Sequence, residues 1–166
     1  FDCSCICMYE NDFTASLIIY YRPLLDKLLA DKATEDYLKA CGYVLENDRM
    51  DNVLNEWKRR YANYFDLKCK GLHSLNQGYE LAQSRAVFPH EIGLILGYPL
   101  KDVVAFIKNG GKNYLLSGYW KVYHDREKAV RTFEAFSRAR LKAFQVLMAG
   151  GGLKDMSGMD FNNYEF

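Results

Sequence analysis

The apolar pattern changes period once, near residue 22, and that change constrains the fold more than any other feature of the chain. Residues 1–8 (FDCSCICM) alternate, and residues 15–22 (ASLIIYYR) are β-branched and aromatic, with the turn cluster Glu10-Asn11-Asp12 between them. That pattern predicts a β-hairpin with a loop slightly longer than two residues. Beyond Pro23, apolar residues recur every three or four positions, the period of amphipathic helices. Pro23 is suited to the first turn of a helix carrying Leu24, Leu25, Leu28 and Leu29. Thr34 is the expected N-cap of a short helix through Ala40, with Gly42 just past its end.

Asp48 is the expected cap of a longer helix with the stripe Met50, Val53, Leu54, Trp57, Tyr61, Tyr64 and Phe65, and with Lys58, Arg59 and Arg60 on its solvated face. Leu72, Leu75, Tyr79 and Ala82 predict a further helix, weakened by Gly78. Residues 89–96 and 99–108 read as two helices around Gly97-Tyr98, stopped by Gly110-Gly111. Residues 114–116 and 119–124 read as strands around Ser117-Gly118. Asp125 then caps a long helix, residues 126–149, whose apolar stripe comprises Ala129, Val130, Phe133, Phe136, Leu141, Phe144, Leu147 and Met148. The fold class is therefore α+β: a small, largely antiparallel sheet from the N-terminal hairpin and the later strands, covered by helices. Residues 1–149 are expected to form a single domain lacking an N-terminal segment, with 150–166 a flexible Gly-rich tail.

Composition narrows the function classes. The 166 residues carry 22 Lys+Arg against 21 Asp+Glu, a net charge of +1, which gives no electrostatic footprint for a polyanion. The longest purely apolar run, residues 17–21, is too short to span a bilayer. No membrane or nucleic-acid partner is expected. Five cysteines cannot all pair internally, which favours a reducing, cytoplasmic compartment. Cys3, Cys5 and Cys7 share one face of the first strand at roughly 6–7 Å spacing. They are expected to be buried as small hydrophobes, since no C-x-x-C or H-x-x-x-H accompanies them to complete a metal site. No metal and no cofactor is expected.

The densest chemistry is Phe88-Pro89-His90-Glu91. With Pro89 opening a helix, Glu91 would fall at the third position and bond back to the cap. The same helix end would keep His90 neutral and able to accept a proton, which makes it the one candidate catalytic residue. Gly93, Gly97 and Val103, with Phe106 as the next core position, fit the spacing of a helix-turn-helix. Its outward positions, Leu100, Lys101, Asp102, Val104 and Ala105, are poor at reading base edges. Tyr119, Lys121 and Tyr123 alternate onto one strand face. With Tyr98 and the start of the residue-89 helix, they form a candidate pocket for a small anionic or aromatic ligand, built from His90, Glu91, Tyr98, Tyr119, Lys121 and Tyr123.

The segments FPHEIGLILGYPLKDVVAFI (residues 88–107) and GYWKVY (118–123), with LIIYYRP (17–23) and Ala40-Cys41-Gly42-Tyr43 upstream, resemble DUF3793, a bacterial family of unknown function found mainly in clostridia and other anaerobes. The resemblance runs from about residue 1 to residue 149. It implies a cytoplasmic bacterial protein and supplies no catalytic residue, cofactor or activity. Family members usually carry a further N-terminal segment, and Ser117 stands where a cysteine is frequent, which weakens any thiol mechanism. The expected function is a non-enzymatic domain that binds a small molecule or a partner. The alternatives are an enzyme using His90 as acid or base, and a helix-turn-helix regulator. The sequence leaves the oligomeric state open.

Overall fold

The computed structural model describes residues 3–73 and 87–156. These fall into two compact units, one within residues 2–95 and the other within 96–166. The expected helix on Leu72, Leu75, Tyr79 and Ala82 and the tail beyond residue 156 lie outside the described residues.

The first unit opens with β1 (Ser4–Glu10) and β2 (Ala15–Tyr20), paired antiparallel from Ser4↔Tyr20 to Glu10↔Ala15. Asn11 makes the turn: its Oδ1 accepts the Phe13 and Thr14 amides, both at 2.9 Å, and its amide donates to the Thr14 carbonyl at 2.9 Å. This is an Asx-type turn. A bulge between Cys7 and Tyr9 lets Met8 enter the core, where it is almost fully buried. The same irregularity sets Tyr9 opposite Ser16.

Three helices follow: α1 (Arg22–Ala30), α2 (Lys32–Ala40) and α3 (Arg49–His73). Pro23 lies in the first turn of α1 as the sequence predicts, and Leu25 and Leu29 are its buried residues. The cap of α2 is Asp31 rather than Thr34. Its carboxylate accepts the Thr34 amide at 2.9 Å and the Thr34 hydroxyl at 3.0 Å. That satisfies a free helix-end donor, and the bond from the Thr34 amide holds the Asp31 pKa below its ordinary value. The stripe of α3 buries Met50, Val53, Leu54 and Trp57, with Tyr43 packed on Trp57 at 5.7 Å between ring centres, and Leu25, Leu29, Leu38 and Leu45 are buried as well.

Residues 89–96 do not form an α-helix. The segment is a five-residue 3-10 helix, His90–Leu94, entered through Pro89 at φ −74° and ψ 78°. Positions i and i+3 eclipse in a 3-10 turn, so Glu91 and Leu94 share a side, and both are buried.

The second unit begins with α4 (Leu100–Lys108). β3 (Leu116–Ser117) and β4 (Lys121–Val122) pair antiparallel as a short hairpin, and α5 (Arg126–Met148) is capped by Asp125 through the Lys128 amide. The α+β class holds, and among the described residues the strands form two separate two-stranded sheets. Trp120, Val122 and Ala129 form the core of this unit, lined by Tyr98, Leu116, Phe133 and Phe136. Glycine suits position 118 at the hairpin turn, because a Cβ there would clash with the edge of the Phe133 ring. Leu153–Met156 is a 3-10 turn with Met156 buried.

Candidate functional site

His90 and Glu91 belong to the first unit; Tyr98, Tyr119, Lys121 and Tyr123 belong to the second. Within each unit these side chains meet partners the sequence did not indicate.

Glu91 does not cap a helix. Its Oε1 accepts the Tyr43 hydroxyl at 2.6 Å and the Arg60 Nη1–H at 3.0 Å. Arg60 also donates from Nε to Glu56 at 2.7 Å and from Nη2 to the Cys41 carbonyl at 2.8 Å, and its guanidinium lies 4.3 Å from the Tyr43 ring centre. One arginine thus ties the end of α2, the body of α3 and the 3-10 turn. Arg60 was expected on the solvated face of α3, and it is half-buried instead. The available signal was the Glu56–Arg60 spacing of four on one helix. Burial pushes the Tyr43 hydroxyl well above its usual range, with the Glu91 bond acting in the same direction. The Arg59 fork bonded to Glu56 brings that carboxyl down to about 2.

His90 is half-buried beside Phe88, 5.1 Å between ring centres. Burial lowers its pKa below the ordinary 6.5, and the neighbouring Glu91 charge only partly opposes this. The helix-dipole argument for a neutral His90, and for an anion at Pro89, has no α-helix to rest on. Burial produces the neutrality instead.

In the second unit the centre is Asp102, a residue expected to face solvent. It is 3% exposed. Its Oδ2 accepts the Trp120 Nε1–H at 2.8 Å, and its Oδ1 accepts the Tyr123 and His124 amides, each at 2.9 Å. The His124 Nδ1 stands 3.4 Å away. A carboxylate holding three N–H donors fixes the hairpin to α4.

The four second-unit residues of the expected pocket are each engaged separately. Lys121 donates to the Gly111 carbonyl at 2.7 Å and lies over the Tyr114 and Phe106 rings, at 5.0 and 5.7 Å. Tyr98 stacks on Trp120 at 5.4 Å. Tyr119 packs on Phe133 and Phe136, and its hydroxyl is 3.3 Å from that of Ser137. Among the described residues the buried Tyr123 hydroxyl has no hydrogen-bond partner, and desolvation raises its pKa.

The cysteine row corrects another expectation. Cys3 and Cys5 are exposed and Cys7 is half-buried. The hairpin has one covered face, and α3 covers the other side from the thiols: Tyr61 reaches Ser16 at 3.4 Å and Tyr9 packs on Phe65 at 5.3 Å. The uncovered face pairs Cys5 with Ile19 and Cys7 with Leu17. Ile19 is 73% exposed, Leu17 60%, and Phe13 at the loop 92%. Among the described residues, no group of three or more His, Cys, Asp or Glu is placed to hold a metal ion.

No curated protein and no solved structure matches the chain. One family model does, over residues 1–157, described as a protein of unknown function. The chain belongs to the DUF3793 family.

Proposed function

We propose that the protein is a non-enzymatic binding domain that recognises an apolar surface of another protein through the outer face of its β1–β2 hairpin. One observation carries this reading: Leu17 and Ile19 project, exposed, from the same side as Cys3 and Cys5, with Glu10 opposite Ala15 at the loop end of that side. Large apolar groups concentrated on one face and rimmed by a polar group mark interaction sites more often than scattered single ones do. The polar chemistry of the chain points the same way, because Glu91, Asp102 and Lys121 are bonded within their own units. The thiols at Cys3, Cys5, Cys7 and Cys41 are free, which suits a reducing, cytoplasmic setting. A photo-crosslinker attached at Cys5 should capture one protein in cells, and Ile19→Glu should abolish capture while the melt is unchanged. Capture that survives Ile19→Glu would contradict the reading.

An enzyme centred on His90 is a second reading, favoured by one observation: burial lowers the His90 pKa, so the ring is neutral at pH 7 and able to take a proton. A native-protein turnover lost in a folded His90→Gln variant would support it over the binding domain.

A further inference from the structure

The last turns of α5 carry an apolar surface that their own unit leaves uncovered. Leu141, Phe144, Leu147 and Met148 are all exposed, Met148 by 72%. Leu141, Phe144 and Met148 stand at i, i+3 and i+7 and so share one face, with Leu147 beside them. The same turns seat Ala139, Ala143 and Val146, each half-buried, and the Val146 carbonyl accepts the Gly151 amide at 2.9 Å. The helix therefore has one side settled within the unit and another turned outward.

Charge says what fits that side. From Ala135 to Ala149 the sequence holds Arg138, Arg140 and Lys142 and no Asp or Glu. All three cations are exposed. Arg138 has one loose partner a turn back, Glu134 at 3.9 Å. The whole chain is nearly neutral, so this is a local concentration of positive charge.

We propose that this face of α5 docks on an anionic lipid bilayer, with the helix lying in the interface. Leu141, Phe144, Leu147 and Met148 enter the acyl boundary, and Arg138, Arg140 and Lys142 reach the headgroup phosphates. The combination of an apolar row and flanking cations matches interfacial helices, and long basic stems extend from an apolar surface to charged headgroups. A second copy of the helix is a worse occupant, because it would bring cations against cations with no carboxylate between them. An enveloping protein groove is also a worse occupant, since only one side of the helix is available and a planar surface requires no more. Among the described residues no helix is long and apolar enough to cross a membrane, so the contact is with the surface. It departs from the sequence expectation of no membrane partner and is independent of the hairpin reading.

The test uses the full chain and vesicles of phosphatidylcholine with about 30% phosphatidylglycerol, against pure phosphatidylcholine, by co-sedimentation at low and high salt. Binding to the anionic vesicles alone is expected, weakened by salt because the attraction is screened. Arg140→Gln with Lys142→Gln should weaken it on the order of tenfold, two headgroup attractions being removed. Leu141→Ser with Phe144→Ser should abolish it. A Phe144→Trp variant, which keeps the apolar bulk, should shift its emission to the blue on the anionic vesicles and be quenched by brominated acyl chains. Absence of binding to anionic vesicles, binding that neither double variant changes, or an unquenched Trp at position 144 would overturn the proposal. A dimer in solution that Phe144→Ser converts to monomer would overturn it in favour of a second copy.

Discussion

Asp102 illustrates how a single residue organises the second unit. Its carboxylate meets one indole and two backbone N–H groups in a site closed to water. Removing it would leave buried donors unpaired, each costing about 1–3 kcal/mol. Asp102→Ala is therefore expected to destabilise by about 3 kcal/mol or more in denaturant titrations, with Trp120 emission shifted to the red. Lys101→Ala, one position away and exposed, should stay within about 0.5 kcal/mol of the parent. In the first unit, Glu56 provides a pH test. Its carboxyl is held at about 2 in the fold against an ordinary 4.5. The stability this contributes is complete above 4.5 and is lost as pH falls through about 2. Glu56→Gln should flatten the acid limb of the stability curve across that window. A limb as steep as the parent's would exclude Glu56 as its source. His90 has the same sign at higher pH: its folded pKa lies below the ordinary 6.5, so protonation on acidification opposes the fold.

At the scale of elements, the parts legible in the sequence are those set by local chemistry. The Asn11 turn, Pro23 at the start of α1 and the stripe of α3 each depend on residues within one or two turns of chain. The cap of α2 was off by three residues because Asp31 and Thr34 are both good capping residues, and in the structure they bond to each other. The 3-10 turn at His90 was missed for a different reason: helical spacing over eight residues does not distinguish a 3-10 turn from an α-helix. Faces were harder still. Alternation placed the three cysteines together, and periodicity placed Leu141, Phe144 and Met148 together. Neither says which face the rest of the chain covers, and the face bearing the cysteines was taken as buried. Partners distant in sequence, such as Arg60 and Tyr43 for Glu91, carry no local signal. At the short β3–β4 turn the constraint is steric. Gly118→Ala should cost about 1–3 kcal/mol by overpacking against Phe133. Phe133→Leu should recover part of that loss in a double-mutant cycle, and additive losses would show that the two sites do not touch.

At the scale of the whole molecule, the two units share a pattern. Each keeps a buried carboxylate bonded to several donors, Glu91 in one and Asp102 in the other. Each also leaves a row of large apolar side chains outside, on the hairpin in one and on α5 in the other. Those two carboxylates are engaged in bonds within their own units, and the exterior apolar rows are where binding is proposed to occur. The measurement that tests this most directly is the alkylation rate of Cys5 by a membrane-permeant maleimide, in intact cells and in purified protein. Cys5 lies on the exposed hairpin face opposite Ile19. The account predicts alkylation at the rate of a free thiol in the purified protein, strong protection in cells where a partner covers that face, and loss of the protection in Ile19→Glu. Equal rates in cells and in purified protein would contradict it.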